Sequence, residues 1–112
     1  MHADTKQCVA ELRQQIQAAR GELDESIKRF GGNRDEFLLD RIKRAYFRLD
    51  DVENMFLRTL DEDRSPPRSK VEEAGIVQGA LNEYHNIALP AINDLRQWSV
   101  TYGRNFIAMK VK

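Results

Sequence analysis

Apolar residues recur at steps of three and four along almost the whole chain, and two short interruptions break the pattern, Gly31-Gly32 and the segment around Pro66-Pro67. Steps of three and four place side chains on one face of an α-helix, so the pattern favours long helices that lie against one another. The first stripe passes through Val9, Leu12, Ile16, Ala19, Leu23, Ile27 and Phe30. A second runs through Leu38, Ile42, Ala45, Leu49, Val52, Phe56 and Leu60, with Leu39, Tyr46 and Leu57 widening it on one flank and Phe37 and Met55 on the other. The third takes Val71, Ala74, Val77, Leu81, Tyr84, Ala88, Ile92, Leu95 and Tyr102. The expected fold is all-α, an antiparallel bundle of three long helices over about 5–30, 34–62 and 70–104.

The boundaries have local causes. Asp4 with Gln7, Asn33 with Glu36 and Ser69 with Glu72 each have the spacing of a capping box, in which a side chain accepts from an otherwise unsatisfied N–H of the first turn. Glycine takes the left-handed conformation past a helix C-terminus without steric cost, so Gly31-Gly32 ends the first helix and folds the second back on it. Asp24 and Glu25 stand four residues before Lys28 and Arg29, the favourable order for helix ion pairs. Pro90 lacks an N–H and its ring clashes with the preceding turn, so the third helix is expected to kink or break there. The last residues alternate at Ile107, Met109 and Val111, which predicts a short extended tail.

From Ala74 to Leu95 only Glu83 and Asp94 carry charge, in a chain where Lys and Arg number 18 and Asp and Glu 18. A solvated helix face is normally charged. On a helical wheel Gly75, Gly79, Asn82, Asn86 and Asn93 gather within about 60° opposite the apolar stripe. Each glycine inside a helix costs roughly 0.5–1 kcal/mol relative to alanine. Close approach of another backbone would account for two of them, so this side is expected to be a protein-contact face. Beyond Pro90, a third helix running to about residue 104 overhangs the hairpin of the first two and carries Trp98, Tyr102 and Phe106. A second copy of the chain is the simplest cover for these aromatics, and a homodimer is expected.

The balanced charge gives no overall field toward nucleic acid or an anionic membrane. One local stripe stands out, Arg41, Arg44 and Arg48, which fall within about 60° on the second helix. It can contact protein or, as the alternative reading, phosphates of a nucleic acid.

Few residues suit catalysis. His2 and His85 are the histidines and Cys8 the one cysteine, too few for a zinc site that does not lean on carboxylates. Cys8 beside Val9 and Leu12 is expected to pack, and His85 beside Tyr84 to be partly buried. No glycine-rich phosphate loop is present, because Gly75 and Gly79 lie inside a helix. The first residues lack the basic start and apolar run of a secretory signal, and no apolar stretch approaches the ~20 residues that span a bilayer. The expectation is a single cytoplasmic domain over 1–112, without metal or cofactor. Its expected role is that of a non-enzymatic subunit, adaptor or inhibitor acting through helical surfaces on another protein.

Overall fold

The computed structural model describes residues 1–30 and 36–97, with side chains described for 1–28 and 39–97. The architecture is all-α, with three long helices. Helix α1 covers Ala3–Phe30. Helix α2 is α-helical over Glu36–Val52, takes one π-helical turn at Glu53–Leu57 and closes over Arg58–Asp61. Helix α3 follows the same plan, with Lys70–Glu83, a π-helical turn at Tyr84–Ala88 and a last helical stretch over 89–97.

Side-chain pairs between the helices fix their directions. Along α1, Arg13 reaches Glu53 at 2.9 Å, Arg20 reaches Asp50 at 2.8 Å and Asp24 accepts from the hydroxyl of Tyr46. The α2 partner number falls as the α1 number rises, so these helices run antiparallel. On α2, Arg41 pairs with Asp94, and Phe56 lies beside Gly79, which makes α2 and α3 antiparallel too. His2 meets Glu73 and Glu22 meets Arg96, so α1 and α3 run parallel.

The core runs along the axis between the helices. Val9, Leu12, Ile16, Ala19 and Leu23 come from α1, Ile42, Ala45, Leu49, Val52, Leu57 and Leu60 from α2, and Ala80, Tyr84, Ala88, Ile92 and Leu95 from α3. These spacings do not all suit an α-helix. At 100° per residue, a step of five from Val52 to Leu57 would turn Leu57 about 140° off the core. The π-helical turn accommodates one extra residue, and Leu57 is fully buried, while Phe56 is only half-buried. On α3, Ala80, Tyr84, Ala88 and Ile92 recur at steps of four, which would let the stripe slide by about 40° per step. The turn at Tyr84–Ala88 absorbs that drift and keeps Ile92 and Leu95 inside.

The same turn accommodates Pro90. A proline ring presses on the carbonyl four residues earlier, here that of Asn86, in the middle of the widened turn. The N–H of Leu89 bonds to Tyr84 in place of the carbonyl four residues back. The backbone remains helical through Pro90, so the chain does not break into a fourth helix there.

Several sequence expectations need correction. Helix α1 starts before Asp4, and the carbonyl of His2 accepts from Lys6, so Asp4 lies within the first turn and does not cap it. Ser69 does cap α3, accepting from the N–H of Glu72 at 3.1 Å. Lys28 pairs with Glu25 three residues away, and Asp24 accepts from the Tyr46 hydroxyl. Ile27, Met55 and Val71 are exposed, Met55 because of the π-helical turn and Val71 because the buried face of α3 begins at Glu73. The Asn33 cap and the extended tail lie outside the described residues.

Gly79 also changes meaning. A Cβ there would stand 2.6 Å from the ring of Phe56, whereas one on Gly75 would meet nothing within 4 Å. The close approach that Gly79 permits is therefore between α2 and α3 of one chain. Gly75→Ala should stabilise the protein by about 0.5–1 kcal/mol through helix propensity, and Gly79→Ala by less, or not at all. In a Phe56→Ala background the two should become equal. Urea unfolding of the four variants checks this, and equal effects in the presence of Phe56 would contradict the packing.

Candidate functional site

The outward side of α2 carries the arginine stripe. Arg41 is tied to Asp94 on α3, Arg44 to Asp40 at 3.0 Å and Arg48 to Asp51 at 4.0 Å. Each guanidinium of the stripe thus faces a carboxylate, and Arg41 helps to hold α2 against α3. Between them stands Phe47, 66% exposed, and two helical turns further on is Met55, 58% exposed. Eight residues at 1.5 Å each separate the two by about 12 Å. Asp51 stands four residues from each, between the ring and the thioether, and with Arg44 and Arg48 makes a surface on which apolar and charged side chains alternate.

The glycine and asparagine face of α3 is divided. Gly79 is half-buried against Phe56 and does not belong to an outer face. Gly75, Asn82 and Asn86 are exposed. Asn93 lies beyond the π-helical turn, where the extra residue rotates it by about 100° relative to a regular helix. It is exposed but accepts from Arg96, which in turn grips Glu22 of α1 with nitrogen–oxygen distances of 2.6 and 2.7 Å. That contact holds the Glu22 carboxyl below its usual range. The face reduces to Gly75, Asn82 and Asn86, with Asn93 serving the α1–α3 contact. Trp98, Tyr102 and Phe106 lie outside the described residues.

At the loop end, where α1 and α3 begin and α2 stops, a cleft of about 600 Å³ opens against His2, Asp61, Arg64, Arg68 and Glu73. Glu73 dominates its chemistry. Among the described residues only it and Thr5 are buried polar side chains, with Glu73 4% exposed. Its carboxylate accepts from the backbone N–H of His2 at 3.0 Å and from the His2 ring Nδ1 at 2.8 Å, and the Met1 amino nitrogen lies 3.7 Å away. The backbone N–H of His2 is the main cause that brings the Glu73 carboxyl down to about 2, with Thr5 and the His2 ring assisting and burial opposing. A glutamate of α3 therefore satisfies backbone at the start of α1, the task that sequence assigned to Asp4. The signal was available, because Glu73 stands seven residues before Ala80 and shares its face.

A carboxylate that orients an imidazole can serve a general base, but the Thr5 hydroxyl is itself bonded to Glu73, and Cys8 is exposed on the turn beyond. His85, expected to be partly buried, is exposed and meets Tyr84 edge to face, with ring centroids 5.3 Å apart. Cys8 likewise does not pack. Among the described residues no group of three or more His, Cys, Asp or Glu is placed to hold a metal ion, and no helix is long and apolar enough to cross a membrane. Comparison of the chain with known protein families, curated proteins and solved structures gives no match.

Glu73 sets a pH dependence. Its folded value lies below the ordinary 4.5, so the stability it contributes is fully present above about pH 5 and is lost as pH falls toward 2. Glu73→Gln should therefore lower the melting temperature most at neutral pH, and the gap from wild type should close between pH 4.5 and 2. Thermal unfolding across that range measures it; a gap independent of pH would mean that the charge of Glu73 contributes nothing.

Proposed function

We propose that the chain is a non-enzymatic interaction module, a small helical subunit, adaptor or inhibitor that presents the outer side of α2 to another protein. The exposed pair Phe47 and Met55, set among arginines, carries this reading. Aromatic residues, methionine and arginine are the side chains most enriched at protein interfaces, where a buried apolar centre supplies most of the binding energy and a charged rim sets the partner's orientation. The carboxylates beside Arg41, Arg44 and Arg48 favour protein over nucleic acid, since Asp94, Asp40 and Asp51 offset the positive charge that would draw phosphates. Self-association through the C-terminal aromatics belongs to the same proposal, as does a cytoplasmic location.

Phe47→Asp with Met55→Asp changes exposed positions alone, so the double variant should keep its helicity and melting temperature to within about 0.5 kcal/mol of stability. Affinity capture from the native cell should recover a stoichiometric partner with the wild type and lose it with the double variant. Recovery of the same partner in the same amount by both would contradict the assignment to α2. Capture of nucleic acid that weakens steeply with salt would replace it with the alternative reading.

A further inference from the structure

A second cavity, of about 350 Å³, lies between α1 and α2 at the first π-helical turn. Arg13, Gln17 and Arg20 line it from α1, and Asp50, Asn54 and Arg58 face them from α2. In an uninterrupted α-helix, residues 50, 54 and 58 would drift by about 80° over their two turns. The extra residue accommodated at Glu53–Leu57 offsets that drift and lines the three up along one groove.

The hydrogen-bonding capacity left over in this groove is mostly donor, with the carboxamide oxygens of Gln17 and Asn54 and the second oxygen of Asp50 as the acceptors. Arg13 is fully engaged, forked between Glu53 and Asp61 at 2.9 and 2.6 Å. Arg20 spends one terminal nitrogen on Asp50, at 2.8 Å, and keeps its other N–H groups. The side chains of Arg58, Gln17 and Asn54 have no hydrogen bond or ion pair among the described residues. The two carboxylates of the lining, Asp50 and Glu53, are each already matched by a guanidinium. What remains is one whole guanidinium, the free edge of a second and two carboxamides. A planar guanidinium fork matches the paired oxygens of a carboxylate or a phosphoryl group, and amide N–H groups extend the same pattern.

We infer that this groove binds a small anion bearing a carboxylate or phosphoryl group, held by Arg58 and the free edge of Arg20 and flanked by Gln17 and Asn54. The inference is independent of the protein interface on Phe47 and Met55 and requires no second macromolecule. The Arg58 side chain is exposed and its loss would break no side-chain hydrogen bond or ion pair among the described residues, so Arg58→Gln should fold as the wild type does.

Titration of the full chain, followed by NMR of the arginine Nε–H and side-chain amide groups, tests the site. Three arms use sodium phosphate, sodium acetate and sodium chloride at matched ionic strength. The expected result is saturable movement of the Arg58, Arg20, Gln17 and Asn54 signals with phosphate or acetate but not with chloride, and at least tenfold weaker binding in Arg58→Gln. Saturation by phosphate alone assigns a phosphoryl ligand, and saturation by acetate as well assigns a carboxylate. The Phe47→Asp, Met55→Asp variant should bind the anion as wild type does, which separates this site from the interface. Linear shifts common to all three salts, or saturation unaffected by Arg58→Gln, would overturn the inference.

Discussion

One constraint governs this molecule: an apolar stripe must stay in phase with its neighbours over the length of α2 and again of α3. Backbone at 3.6 residues per turn cannot meet it with a step of five at Val52 to Leu57, or with successive steps of four from Ala80 to Ile92. Each helix resolves the mismatch in one π-helical turn. The alternative would bring polar side chains into the core, at a cost of the order of 1–3 kcal/mol for each unsatisfied group. Once the two turns are in place, Leu57, Ile92 and Leu95 close the interior, and α3 remains helical through Pro90.

The turns also decide what reaches the surface. The first buries Leu57, leaves Met55 exposed two turns from Phe47, and aligns Asp50, Asn54 and Arg58 over the groove shared with α1. The second carries Asn93 off the asparagine face together with Arg96, and Asn93 supports the Arg96 bridge to Glu22. Glu73 completes the arrangement at the loop end by satisfying the start of α1 from the first turn of α3. Packing and surface chemistry therefore have one origin in the register of the helices.

The number and order of the helices, and their bounds where these fall among the described residues, were legible because the Gly31-Gly32 and Pro66-Pro67 interruptions leave three 3–4 periodicities. The Ser69 cap was legible for a similar reason, since its partner lies three residues away. On helix two the stripe was legible to Val52 and again at Leu60, but Leu57 was expected on the flank and Phe56 at the centre, because a wheel drawn at 100° per residue assumes the regularity that the π-helical turns break. That is why Met55 was expected inside and Asn93 with the other asparagines. Gly79 was recognised as a point of close approach, but a single chain gives no way to tell an internal neighbour such as Phe56 from a partner. The arginine stripe was legible as a stripe; its neutralisation depended on Asp94, more than fifty residues away, and on rotamers that bring Asp40 and Asp51 to Arg44 and Arg48.

The two π-helical turns can be observed directly. Hydrogen-bond scalar couplings between an amide nitrogen and the carbonyl carbon it bonds to should connect Arg58 with Glu53 and Leu89 with Tyr84, each five residues back. Couplings from Arg58 to Asn54 and from Leu89 to His85, four residues back, would show uninterrupted α-helices, and would contradict the register on which the core and both surfaces rest.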